Sequence, residues 1–389
     1  MEGLPVTFSL RIGVVALAAA GLVAACGGGD GGGDGGTLLP PTPKITTAKV
    51  VGDSLADSGT FGYKFTVQGG VPTGTGSSQL WVDRIASQYG TTLCAAFSFN
   101  GSSFVPQAGC TNYAVGGGQI NYTAAPTSPW SIPQQLQALA AAGFTANDLL
   151  LVDGGGNDAA ALAAAYMKAG SDGGVAFYTL LTTQLDSATI TGFQGQGAAG
   201  LPAAGQAYMQ ALATSWVTAL QTQALAKGAT RVAVLNIPDI TLTPKFLAIL
   251  ASVQTAQGAP AAQGLKTLIS GWVQAFNQQL ATSVGSDSRV AVVDFYAELH
   301  KQVSTQGLYH YTNVSKPACP STGTDSNGLP TYDLATCTAA NLSASIPVGE
   351  SAPNWWQSYV FSDDFHPTPY GHVQMANFVS AALTKAGWQ

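Results

Sequence analysis

Two short runs hold residue types that could do chemistry together. Gly52-Asp53-Ser54-Leu55 follows a short apolar run, and Asp363-Asp364-Phe365-His366-Pro367 lies far down the same chain. A serine hydroxyl is a poor nucleophile until a base removes its proton, and the base needs a third group to fix its tautomer. Of the four histidines, His300, His310, His366 and His372, only His366 has a carboxylate three residues earlier. That spacing lets Asp363 reach the imidazole Nδ1 across one turn. Pro367 is expected to start the last helix and stiffen that turn. His372 falls within the same helix and reads as packing or surface; His300 and His310 read as structural or exposed.

Acyl transfer also needs donors aimed at the oxyanion that develops on the substrate. The backbone N–H of Ser54 is available if a helix starts there. Asn112-Tyr113-Ala114-Val115-Gly116-Gly117-Gly118 offers a glycine turn where backbone can approach a ligand closely. Asn157, in Gly155-Gly156-Asn157-Asp158, offers a side-chain amide. Other chemistries lack their residues. Ala56 fills the last position of a Gly-x-Ser-x-Gly elbow around Ser54, no Ser-x-x-Lys occurs, and no His-Glu-x-x-His or comparable cluster supports a metal.

Stepping along the chain, buried-strand patterns alternate with helical ones. Ala48-Lys49-Val50-Val51, Leu149-Leu150-Leu151-Val152, Arg231-Val232-Ala233-Val234-Leu235 and Arg289-Val290-Ala291-Val292-Val293 read as strands. Helices are expected over 79–89, 131–143, 157–169, 203–227, 261–283 and 368–386. Continuous apolar strands separated by helices argue for a parallel sheet covered on both faces. Ligands of such sheets sit beyond the carboxyl ends of the strands, and Ser54 and Asn157 each follow a strand directly. The segment 301–362, rich in Ser, Thr, Asn, Pro and aromatics, breaks the rhythm and reads as an insertion beside the active-site edge. Its Tyr309, Tyr311, Trp355, Trp356 and Tyr359, with Phe97, Phe99 and Phe104, are expected around the mouth.

Charged residues make up 9% of the 389 and the net charge is −6 without a basic cluster, which excludes an electrostatic grip on nucleic acid. Residues 1–25 read as a signal peptide: Arg11 precedes an apolar run too short to span a bilayer, ending in Val23-Ala24-Ala25 before Cys26. That ending resembles a bacterial lipobox, which implies lipidation of Cys26 and membrane attachment through it. Gly27 in the next position implies an exported lipoprotein of the outer membrane, facing the periplasm or the cell surface. Residues 26–44, nearly all Gly and then Pro-rich, read as a tether that holds a folded domain at 45–389 off the membrane. Cys94, Cys110, Cys319 and Cys337 remain, an even number in an exported chain. Three connectivities are open, and the local pairs Cys94–Cys110 and Cys319–Cys337 are expected.

Taken in order, Gly52 to Leu55, Asn112 to Gly117, Gly155 to Asp158 and Asp363 to His366 resemble the four sequence blocks of the GDSL, or SGNH, hydrolase superfamily, from about residue 48 onward. Asn236-Ile237-Pro238-Asp239, followed by Leu242-Thr243-Pro244, is similar to the stretch after the fourth strand in the lipase/phospholipase-like branch. The resemblance implies a three-layer α/β/α flavodoxin-like sandwich around a central, mainly parallel five-stranded sheet. It implies Ser54 as nucleophile, His366 as general base and acid, and Asp363 as its orienter. The oxyanion hole would be the Ser54 amide, Gly117 (or, one residue off, Gly116) and Asn157. Gly117 falls five residues after Asn112, where the family's glycine sits. Many members carry Asn after Asp-x-Gly, whereas Thr60 follows Asp57-Ser58-Gly59 here, which touches only the local loop. Asp53 and Asp158 are expected to brace the loops that present their neighbours.

The activity this implies is a serine ester hydrolase, carboxylesterase- or lipase-like. It would act through an acyl-enzyme on small-to-medium acyl esters, lipids included, as a monomer with no cofactor and no metal. An acyltransferase with the same triad, or a catalytically silent surface-binding lipoprotein, are the alternatives. Loss of activity on acidification is expected near the ordinary histidine pKa of about 6.5.

Overall fold

Four apolar runs make the central sheet. Thr47–Val51, Asp148–Val152, Val232–Leu235 and Val290–Val293 pair side by side in that order, all parallel. The computed structural model describes residues 43–69 and 78–389. The signal peptide 1–25, the lipidation site Cys26 and all but the last two residues of the tether lie outside the described residues. Pro43 onward forms one compact unit. Among the described residues no helix is long and apolar enough to cross a membrane.

The period-2 alternation of strand side chains divides the core in two. Val51, Leu150, Val152, Val232 and Val234 point to one face, against Ile132 and Leu136 of the helix Ile132–Ala141 and Leu162 of Gly156–Asp172. Tyr208 and Trp216 of Leu201–Gln223 and Trp272 and Phe276 of Ala259–Val284 complete that layer. Val50, Leu149, Leu151, Ala233 and Leu235 point to the other face, against Trp81 and Ile85 of Trp81–Gln88 and Val379 and Leu383 of Pro369–Lys385. Both faces are dry, which is why the strands read as unbroken apolar runs. The result is the expected α/β/α sandwich.

The strand count differs from the expected five. Beyond Thr47–Val51 the edge is extended only by a parallel bridge between Val50 and Asn112, with Val50 N donating to Thr111 O and Tyr113 N to Val50 O. The segment cannot continue as a strand. Cys110 is tied back to Cys94, the Asn112 side-chain amide donates to Ala56 O and Ser58 Oγ, and a turn begins at Gly116. Among the described residues the sheet therefore has four laddered strands and a one-residue fifth.

The segment 301–362 is stitched to the sandwich. Its first four residues finish the helix Phe295–Ser304, and Asn313–Pro317 pairs in parallel with Tyr359–Phe361. Cys319 and Cys337 are bonded, as are Cys94 and Cys110, so both local disulfides are present. They span 16 and 18 residues, each contributing about 3 kcal/mol in the chain-entropy account. Trp355, Trp356 and Tyr359 are buried with Val67 and the Cys319–Cys337 bridge, and Tyr311 is buried against Val360 and Phe361. These four aromatics, expected at the mouth, hold the insertion together instead.

Candidate active site

Ser54 follows the first strand in a tight turn, where Ala56 N donates to Asp53 O; no helix starts there. The turn is set from below by a close backbone approach. Gly52 N donates to the buried Gln135 Oε1 at 2.8 Å, and Asp53 N to Asp153 Oδ1 at 2.9 Å. A Cβ on Gly52 would lie 1.6 Å from Asp153 Oδ1, so only glycine fits.

The Asp363 to His366 loop closes on itself. Ser362 N donates to His366 O at 2.7 Å, while Asp363 Oδ1 accepts from Phe365 N at 2.8 Å and His366 N at 2.6 Å. The other oxygen, Oδ2, faces His366 Nδ1 at 2.7 Å. Buried Ser362 ties the loop to the sandwich by accepting from Val67 N and donating to Pro367 O. The last helix starts at Pro369, capped by the Thr368 side chain, rather than at Pro367. Pro367 lies in a bridge to Phe361, which leaves the loop room to turn His366 toward the sheet edge.

These two pieces meet. His366 Nε2 lies 2.7 Å from Ser54 Oγ across 312 residues of sequence, so Ser54, His366 and Asp363 form one hydrogen-bonded chain. The His366 side chain is 14% and Asp363 7% exposed. Burial alone pulls the imidazole pKa down, but the carboxylates of Asp363, Asp364 and Asp53 outweigh it and raise it above the ordinary value. Burial pushes Asp363 up, yet His366 and the two backbone N–H groups bring it below the usual carboxylate range. Asp363 is therefore ionised, and holds the imidazole with its proton on Nδ1 and its lone pair toward the serine.

The candidate oxyanion donors are neighbours. Val115 N donates to Gly52 O, and Gly118 packs so closely on Gly52 O that a Cβ would come within 2.9 Å of it. Asn157, in the first turn of Gly156–Asp172, donates from Nδ2 to Gly118 O at 3.0 Å. The backbone separates Gly116 from Gly117. Gly116 N is spent on Asp57 Oδ2 at 2.8 Å, whereas among the described residues neither Gly117 N nor Ser54 N meets an acceptor. Gly117 also has φ +78°, a conformation natural to glycine.

The two bracing aspartates sit below this edge. Asp158 accepts from Ile120 N and Asn121 N at 2.9 and 2.8 Å, and Asp53 accepts from Leu55 N. Burial raises both, to about 6 in each case. His372 is buried and its Nδ1 accepts from Trp81 N; burial lowers its pKa well below the ordinary value. His300 pairs with Asp239 at 2.9 Å, and His310 is exposed.

Several residues here have contacts at the site that the sequence pattern does not assign. Phe65 and Phe365 both pack on the His366 ring, with centroids 5.1 and 6.1 Å away. Asp57 clamps Gly59 N, Thr60 N and Gly116 N at once. Trp130 donates from its indole to Gly116 O at 3.2 Å, and Phe99 and Phe104 pack on its ring rather than lining a mouth alone. Asp57, three residues after Ser54 and two before a glycine, was the one with a readable signal. Phe365 is the neighbour of His366 in sequence, whereas Phe65 and Trp130 reach the site from other segments.

A parallel sheet carrying a Ser–His–Asp chain at its carboxyl edge defines an α/β enzyme of the ester-hydrolysing kind. The family model described as GDSL-like Lipase/Acylhydrolase matches residues 50–379, and the chain belongs to that family. A comparison with curated proteins finds no match.

Proposed function

We propose that the protein is a serine esterase in which Ser54 is the nucleophile, His366 the general base and acid, and Asp363 the group that orients it. Ser54 Oγ attacks the ester carbonyl as its proton passes to His366 Nε2. The tetrahedral oxyanion takes hydrogen bonds from the amides of Ser54 and Gly117 and the side chain of Asn157. Collapse expels the alcohol, which leaves with the proton held by His366. Water then attacks the acyl-enzyme by the same route and frees the acid. The observation that carries this reading is the continuous 2.7 Å and 2.7 Å chain from Ser54 to Asp363.

Small-to-medium acyl esters are the proposed substrates, lipid-like ones included. Leu55 beside the serine, and Phe65 and Phe365 against the histidine, give the mouth apolar walls. A Ser54→Ala variant should lose hydrolysis of p-nitrophenyl esters with its far-UV circular dichroism unchanged; retained activity places the nucleophile elsewhere. Within a chain-length series, a sharp preference for acetate rules out lipids. Export as a lipoprotein, with Cys26 acylated and residues 26–44 as the tether, rests on the lipobox-like ending of the first segment. Palmitate labelling that persists in a Cys26→Ser variant refutes it.

A further inference from the structure

An amide is aimed only as well as its peptide plane is held. The Gly117 N–H lies in one rigid plane with the Gly116 carbonyl, and in a trans peptide the two point in opposite directions. Whatever grips the Gly116 oxygen therefore sets where the Gly117 N–H points. Gly117 supplies no restraint of its own, having no side chain and a left-handed φ of +78°. Its neighbour is held on two sides: Gly116 N by the buried carboxylate of Asp57 at 2.8 Å, and Gly116 O by the indole Nε1 of Trp130 at 3.2 Å. The indole edge also lies 4.0 Å from where a Gly117 Cβ would stand.

Trp130 is itself well fixed. Its carbonyl accepts from Gln119 N at 2.9 Å. Buried Gln135 links the preceding residue to the serine turn, donating to Pro129 O at 2.7 Å and accepting from Gly52 N at 2.8 Å. Phe99, Phe104 and Tyr122 pack around the ring with centroids 5.6, 4.7 and 5.9 Å away. The Ser54 amide is held by the same device, since the carbonyl of its own peptide, Asp53 O, accepts from Ala56 N.

We infer that Trp130 is a positioning residue of the oxyanion hole, whose indole N–H grips the Gly116 carbonyl and so aims the Gly117 N–H at the substrate's carbonyl oxygen. This rests on the reading of Ser54 as nucleophile. A hydrogen bond on a peptide oxygen also polarises the peptide and strengthens its N–H as a donor. A ring that served only as wall or packing would need its shape; a ring that aims the amide needs its N–H.

Trp130→Phe separates the two, because it keeps an aromatic ring and removes the donor. Loss of a whole oxyanion donor costs about 10²–10³ in kcat, so a donor left in place but loosely aimed should cost roughly tenfold or more. The expected result is that fall in kcat with KM within twofold, and a parallel loss of affinity for a trifluoromethyl ketone, whose tetrahedral adduct mimics the transition state. Unchanged kcat overturns the inference, and so does a rise in KM with the ketone's affinity intact. If Trp130→Phe does not fold, 3-benzothienylalanine at the same position keeps the bicyclic shape without the N–H and carries the same expectation. Ser54→Ala on the same ester is the control. Full activity there removes the nucleophile reading, whereas an inactive Ser54→Ala beside a fully active Trp130→Phe removes only the role of Trp130.

Discussion

Replacing Asp363 by Asn changes one atom and should nearly abolish catalysis, for a reason readable in the hydrogen bonds of the loop. The carboxylate has two distinct oxygens: Oδ1 accepts from Phe365 N and His366 N at 2.8 and 2.6 Å, and Oδ2 faces His366 Nδ1 at 2.7 Å. An asparagine must choose which way to turn its amide. Its oxygen is drawn to the Oδ1 site, since an NH2 group there would face two N–H donors. The NH2 group then faces His366 Nδ1 and donates to it. The imidazole is forced into the tautomer with its proton on Nε2, pointed at Ser54 Oγ, and cannot act as a base. Turning the amide over restores the tautomer but leaves two backbone donors unpaired, at about 1–3 kcal/mol each. At about 1.36 kcal/mol per factor of ten, the combined cost of roughly 2–6 kcal/mol leaves about one active molecule in 30 to one in 25,000. Loss of the carboxylate's stabilisation of the imidazolium adds to this, and the equivalent change in a serine protease triad costs about 10⁴ in kcat. We expect Asp363→Asn to lose about 10³–10⁴ in kcat on p-nitrophenyl butyrate with an unchanged melting profile. The His366 ¹⁵N shifts should report the Nε2–H tautomer. A variant within tenfold of the parent activity, or one that keeps the Nδ1–H tautomer, refutes the reasoning.

The remaining expectations use the same site. His366 must be neutral to take the serine proton, and its pKa is raised by Asp363, Asp364 and Asp53 against the effect of burial. The acid limb of kcat/KM should therefore lie above the ordinary histidine value of about 6.5, with activity falling as pH drops through it; a limb below that value contradicts the assignment. In Asp363→Asn the largest raising influence is gone while burial persists, so any residual activity should show its limb at lower pH. Gly52→Ala would drive a methyl group to 1.6 Å from Asp153 Oδ1. It should destabilise the protein by about 3 kcal/mol or more, as overpacking of a rigid interior does. An unfolding free energy, taken from denaturant titration, lowered by less than about 1 kcal/mol would mean the Asp153 side chain can move aside.

Most of what was legible in the sequence was legible because both faces of the sheet are dry. Leu149-Leu150-Leu151-Val152 reads as a strand without ambiguity, since every residue is buried and none is needed at the surface. The serine and histidine segments were legible because their chemistry is local: Asp363 reaches His366 within one closed loop, and Asp53 holds Leu55 N within one turn. Elements with weak periodicity were missed. Val175–Leu181 and Ser187–Gln194 are short helices that pack on longer ones, and Pro244–Gln257 starts at Pro244, within the stretch that the family resemblance places after the fourth strand. The fifth strand failed because the side-chain bonds of Asn112 compete with a ladder. Trp130 and Phe65 were invisible for a different reason. A tryptophan that grips a carbonyl fourteen residues away does so through tertiary packing, which imposes no spacing.

Ser54 and His366, the proposed nucleophile and its base, stand 312 residues apart. Every strand of the sheet, both disulfides and the stitched segment 301–362 lie between them or beside them in the chain. A partly folded molecule can carry a finished serine turn and still have no base to activate it, because His366 arrives only when the Ser362 loop docks on Val67. Closing a contact of such span costs more loop entropy than closing a local one, and that cost is met before the contact stabilises anything. Esterase activity is therefore expected only once that loop has docked, and would report the closing of a contact that spans 312 residues.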